Sequence, residues 1–255
     1  MPTRRIAGQK TLLGRTMHDI RYDAVHDQIL VPNPFAQAIL VFRGDANGEQ
    51  PPIRVIQGPQ TRLEHPDRLE IDIVHNEIFV PEGDKVLVYP LQASGNVAPI
   101  REIRGPDTQM KSIQSVAVDP VRNLLIVGAG RSSDPDGSML IYNRTDNGNA
   151  KPRAVIQGPK TGIFTIHQLQ VYSPKGWIVA TQPGGRGPAV EPEGIFIGVW
   201  SVNDSGDVPP RWKIAGPAST LKKPRGVALD IRNKELIVAD MRLNAVLTYY
   251  FPEIF

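Results

Sequence analysis

The 255 residues carry 29 Lys and Arg against 26 Asp and Glu, a formal charge of +3, and no cysteine. So even a balance, with no basic run or stripe, argues against a nucleic-acid binder that works through a charged face and indicates no acidic partner. Disulfides, thiolate metal sites and a cysteine nucleophile are excluded by composition. The longest apolar run, GIFIGVW from Gly194, is too short to span a bilayer. No charged-then-apolar leader stands ahead of the first ordered pattern, so neither a signal peptide nor a membrane segment is expected, and the compartment stays open.

In chain order the first pattern is PTRRIAG, Pro2 to Gly8, one copy of P-x-x-x-I-x-G. It returns as PIRVIQG from Pro52, PIREIRG from Pro99, PRAVIQG from Pro152 and PRWKIAG from Pro210. Between copies three segments recur in fixed order. The first alternates and ends in Asp or Ser: IRYD, LEID, VAVD, LQVYS and VALD, each reading as a half-buried strand and a tight polar turn. A short continuous apolar run follows, ILV from Ile29 to LIVAD from Leu236, as suits a strand covered on both faces. The third strand closes on an aromatic: Phe42, Tyr89, Tyr142, Trp200 and Tyr249. A Gly-containing polar turn then leads into the proline-headed strand, which belongs at a sheet edge because proline cannot donate to a ladder.

No helical period of ten or more residues appears, so each repeat is four antiparallel strands, A to D. Self-similarity at this period marks a radial array, an all-β, five-bladed β-propeller of four-stranded antiparallel blades. The blades run over about 17–60, 66–107, 113–160, 166–218 and 224–255. The last unit lacks strand D, and residues 2–8 are expected to supply it, closing a single domain over 1–255.

The last copy, GVALDIRNKELIVADMRLNAVLTYY, resembles the NHL-type β-propeller repeat at Gly226, Asp230, Val238, Asp240 and Asn244. In the other copies its VAD position reads VPN, VPE, VGA and VAT. The resemblance implies a propeller, usually of six blades; the repeat count here gives five.

Two B–C loops are long, GAGRSSDPDGS (128–138) and TQPGGRGPAVEPEG (181–194), where the scaffold needs only a short turn. Asp134, Arg186 and Glu191 are their candidate ligand contacts; tolerated surface insertion is the alternative. Two residues before the first apolar position of strand A stand His18, Asp67, Gln114, His167 and Arg225. Blade equivalence would gather these five into a polar ring at a channel mouth, there to bind a small polar ligand or simply to solvate strand ends. His26 and His75 read as exposed turn residues, Arg21 and Glu70 as an interblade ion pair, and the GPQT, GPDT and GPKT echoes as strand endings. No G-x-S-x-G, H-E-x-x-H or comparable catalytic signature is present.

The sequence therefore points to a non-catalytic binding or scaffolding propeller: a monomer without cofactor, recognising a protein segment or small polar ligand, not nucleic acid or membrane. The alternative is a metal-dependent lyase or lactonase with a divalent ion at His18, Asp67 and His167.

Overall fold

The computed structural model describes residues 2–130, 137–184 and 194–255. It divides into two compact units, Met1–Ile103 and Arg104–Phe255. Asp134, Arg186 and Glu191 lie outside the described residues. Among those described there is no α-helix, only strands and 3-10 turns, and so no helix long and apolar enough to cross a membrane.

The first blade comprises β1 (Arg21–Asp23), β2 (Gln28–Asn33), β3 (Ala38–Arg43) and β4 (Arg54–Gln57), antiparallel in that order. The second comprises β5 (Glu70–Asp72), β6 (Glu77–Glu82), β7 (Lys85–Pro90) and β8 (Arg101–Arg104), likewise in chain order. The continuous apolar runs of β2 and β3 serve two faces. Leu30, Ile39 and Val41 pack with Leu69, Ile78, Val80 and Tyr89 of the second blade, whereas Val31, Leu40 and Phe42 pack under Ile6, Leu13 and Met17. A strand buried on both sides has no polar face to alternate with, so its hydrophobicity is unbroken.

In the second unit β9 (Ile113–Asp119), β10 (Leu124–Ala129), β11 (Ser138–Asn143) and β12 (Ala154–Gln157) make one sheet. β13 (Leu169–Tyr172), β14 (Trp177–Pro183), β15 (Ile195–Ser201) and β16 (Trp212–Ala215) make the next. β17 (Pro224–Asp230), β18 (Glu235–Asp240) and β19 (Ala245–Tyr250) make a sheet of three. Five antiparallel blades therefore stand where the repeat placed them.

The opening segment, expected as an outer strand, is described within the first unit, where Ile6 forms a parallel bridge to Gly48, with Ala7 N–H donating to the Gly48 carbonyl at 3.0 Å and Gly48 N–H to that of Arg5 at 2.6 Å. This is how an outer strand meets a neighbouring hairpin turn elsewhere in the molecule: Ile56 bridges Gly95, and Ile156 bridges Gly206.

The G-P-x-T echoes do more than end strands. Thr108 Oγ1 donates to the Gly105 carbonyl at 2.7 Å, closing a 3-10 turn, and the Thr108 carbonyl accepts the Tyr142 hydroxyl. Tyr89 donates to the Thr61 carbonyl, and Tyr249 to that of Ser219 at 2.6 Å. The aromatic that closes strand C is thus hydrogen-bonded to the turn after the preceding outer strand, while Phe42 and Trp200 fill the same place without a hydroxyl. Gly105 has φ 139°, and an added Cβ would meet Asn149 Oδ1 at 2.4 Å, so only glycine lets that turn seat against the asparagine.

Candidate functional site

The β1-facing end of the first unit brings together two of the residues singled out from sequence. His18 precedes β1, Asp67 precedes β5, and His18 Nδ1 lies 3.0 Å from Asp67 Oδ1. His65, which sequence reasoning passed over, approaches the same oxygen through Nε2 at 3.6 Å. All three side chains are exposed, at 40%, 43% and 55%. The ring of His65 meets Phe35 edge-on at 5.5 Å, and Phe35 is 73% exposed at the tip of the Pro34–Ala36 turn between β2 and β3.

This cluster is held from behind. Glu82, at the end of β6 and buried, accepts the backbone N–H groups of Glu64 (2.8 Å) and His65 (3.3 Å), and Lys85 Nζ reaches Glu64 at 2.6 Å. Burial pushes the Glu82 carboxyl above the usual range, and the two N–H groups and Lys85 pull it back only in part. Asp240 holds the equivalent place in the last blade. Burial pushes it up too, but N–H groups from Lys222, Lys223, Leu243 and Arg242 outweigh that and leave it below the usual carboxylate range. In the fourth blade Gln182 does the same for Phe164 and Thr165, one residue beyond the VAT position that the repeat suggested. Gln182 is the sixth residue of β14, as Glu82 is of β6 and Asp240 of β18, so the sequence alignment had placed this position one residue early.

Below His18 lies a second ionic group, nearly closed to solvent. Arg21 Nε donates to Glu70 Oε1 at 3.0 Å, as expected for an interblade pair, and its NH1 donates to Asp19 Oδ1 at 2.5 Å. Asp19 also accepts the Leu69 N–H at 3.2 Å, tying the approach to β5 to that of β1. Side-chain exposures are 12% for Arg21, 12% for Glu70 and 3% for Asp19. Burial alone would lower the Arg21 pKa, but Glu70 and Asp19 raise it well beyond the ordinary value. Burial raises Glu70, against the pull of Arg21. Two carboxylates share one guanidinium, which the sequence did not signal, because Asp19 has no like-charged counterpart in the next repeat.

The first unit also carries a groove of about 600 Å³ beside His18, lined by Arg4, Ile6, Met17, Ile20, Ile29 and Phe42. Its wall is mostly apolar, with Ile20 61% exposed. No sequence signal foretold it, since it forms where the opening segment packs against the face of β2 and β3.

In the second unit the expected ring residues meet differently. His167 N–H donates to the Thr181 carbonyl at 3.4 Å, and the buried Thr181 hydroxyl donates to the Arg225 carbonyl at 3.5 Å, so both are joined through main-chain atoms. Gln114 is half-buried in β9. Among the described residues no three His, Cys, Asp or Glu are grouped to hold a metal ion. His26 and His75 lie in turns as expected, His26 exposed and His75 half-buried, and each pairs at 2.7 Å with an aspartate whose side chain is wholly buried, Asp23 or Asp72. Arg122 and Asn233 make the same i,i+3 contact to Asp119 and Asp230, so the turn selects a donor at that position rather than a histidine.

Repeated antiparallel blades, outer strands seated on neighbouring hairpin turns and tyrosines bonded to those seats define a β-propeller. No family model and no curated protein matches the chain. Solved structures do, 647 chains among them. One is a chain in the crystal structure of a mitotic checkpoint complex, with TM-score 0.60 and 14% identity over 90% of this chain and 60% of that one. This chain therefore spans about three fifths of that neighbour's length, and the likeness shows the fold.

Proposed function

We propose that the protein is a non-catalytic binding platform that takes an extended protein segment into the groove of its first unit, with the His18–Asp67–His65 cluster and Phe35 at one end. The observation that carries this is the groove itself. It is a mostly apolar trough of about 600 Å³ with His18 in its wall, and His18 in turn pairs with Asp67, beside His65 and Phe35. Apolar contact supplies affinity in such a site, while the exposed aromatic and the imidazoles fix the end of the segment. The similarity to a chain of a mitotic checkpoint complex, a protein assembly, agrees with a protein partner. The residues that resemble the NHL repeat serve the frame: Asp240 caps main-chain donors, Asp230 holds Asn233, and Asn244 takes a φ of 50°.

Selection of a displayed peptide library on the full chain tests this. Apolar extended peptides should be recovered, with affinity falling at least about tenfold in Ile20→Asp and severalfold in Phe35→Ala. Equal binding by wild type and both variants would sink the reading.

A further inference from the structure

The near-even charge of the chain is unevenly spread. Residues 211–255 carry eight Lys and Arg against four Asp and Glu, whereas the 210 before them carry 21 against 22. Three of the eight, Lys222, Lys223 and Arg225, crowd the start of β17, and a fourth, Arg242, follows β18. The fold draws these four to one end of the last sheet. The Asp240 carboxylate accepts the main-chain N–H groups of Lys222 and Lys223 at 2.8 Å each, and those of Arg242 and Leu243 at 3.1 Å each. The Met241 N–H donates to the Lys223 carbonyl at 3.0 Å, which lays the two loops side by side. With N–Cα bonds of about 1.5 Å, the Cα atoms of Lys222, Lys223 and Arg242 stand within about 5 Å of one carboxylate. Arg225 is the extra residue of a bulge between Pro224 and Gly226, where β17 slips register against β18, and a bulge re-aims its side chain out of the ladder's alternation.

The frame does not call for these cations. The residues whose N–H groups meet the same acceptor position are Glu64 and His65 in the second blade, and Phe164 and Thr165 in the fourth. Only the main-chain donor is needed there, so acidic, aromatic and neutral side chains all serve. Nor is Asp240 left to neutralise the lysines, since main-chain donors occupy both of its oxygens and it is 2% exposed. Lys222 is exposed and Lys223 half-buried, and among the described residues neither has an ion-pair partner. Arg225 Nε is buried without an acceptor. Like charges on neighbouring residues repel one another, a cost that a counter-charge from outside removes. Met241 and Leu243, which flank Arg242, are 52% and 39% exposed and add apolar contact area to the same end.

We infer that the loop end of β17 and β18 is an interaction surface for an acidic segment of another protein, whose carboxylates meet Lys222, Lys223 and Arg225 while its aliphatic side chains cover Met241 and Leu243. Charge complementarity of this kind fixes the choice of partner more than it adds affinity. The chemistry favours a polypeptide over a single-stranded nucleic acid, whose sites set aromatic rings among the cations, because residues 221–225 and 241–244 hold no aromatic. All of these residues belong to the second unit, and the contacts that gather them are internal to its last sheet, so this surface does not depend on the groove of the first unit.

The test is fluorescence anisotropy of the full chain with a labelled acidic peptide, EDLEDLE, and with its amide counterpart, QNLQNLQ. The acidic peptide should bind, more weakly as salt is raised, and the amide form should bind about tenfold more weakly. Lys222→Ala with Lys223→Ala should weaken the acidic peptide about tenfold, about threefold for each lysine. The urea midpoint of that variant should stay unchanged, because the N–H groups that meet Asp240 are main-chain. Removing the same charge at the other end of the sheet, by Arg232→Ala with Lys234→Ala, should leave affinity unchanged. Ile20→Asp, in the groove of the first unit, should also leave it unchanged, so that failure at either site can be told from failure at the other. No binding of the acidic peptide, equal affinity for the amide peptide, equal losses from the two double variants, or a lower urea midpoint without the lysines would overturn the inference. Tighter binding of a thymidine oligonucleotide of equal charge would overturn it too.

Discussion

Two ionic groups lie within a few residues of each other in the first unit, and solvent separates their roles. His18, Asp67 and His65 are two-fifths or more exposed, whereas Asp19, Arg21 and Glu70 are almost shut away. In water the first group gains little from its own pairing, so its polar atoms are available for exchange with a ligand. The second cannot give up a partner without stranding a charge in low dielectric, and so it holds the approaches to β1 and β5 in place. Burial, more than residue type, sorts structural charge from the charge proposed to meet a ligand.

Removing the shared cation should break the buried group most severely. Arg21→Met leaves two carboxylates without their guanidinium and is expected to cost about 3–5 kcal/mol in urea unfolding. Replacing Arg21, Asp19 and Glu70 together by apolar residues of similar volume should cost far less, because no uncompensated charge remains.

Asp240→Ala tests whether main-chain capping is comparably strong. Four donors lose their acceptor, and a loss of about 2 kcal/mol is expected by the same measurement. The two carboxyls should also differ in pH dependence. Asp240 is held low in the fold, so its contribution is present above the unfolded aspartate value of about 3.9 and is lost as pH falls through the folded value. Glu70 is raised, so its contribution is present below the unfolded glutamate value of about 4.3 and is lost as pH rises through the folded value. Stability profiles of Asp240→Asn and Glu70→Gln should flatten opposite arms; the same arm in both would refute the assignment.

Tyr142→Phe removes a neutral hydrogen bond to the Thr108 carbonyl and should cost about 1 kcal/mol. The smallest effect belongs to the exposed group. His18→Ala should change stability by less than about 0.5 kcal/mol while lowering segment affinity in the binding assay. A large stability loss there would make His18 a frame residue like Arg21.

Much of this was legible from the repeat. The proline-headed strand, the alternating strand and the aromatic each recur at matching positions, which placed Arg21 opposite Glu70 and His18 beside Asp67 before any coordinates. His65 was not legible, because it lies outside the repeated positions and reaches Asp67 only through the bend that Glu82 imposes on residues 64 and 65. The G-P-x-T echo was visible but its purpose was not, since the tyrosine that uses Thr108 is 34 residues away.

By itself the amino-acid order determined five antiparallel blades, because period and alternation are local properties of the chain. Only the tertiary structure decided which side chains meet across blades, which charges are buried and where a groove opens. Those outcomes depend on side-chain reach and on solvent exclusion between segments about fifty residues apart, which the spacing of a repeat cannot convey.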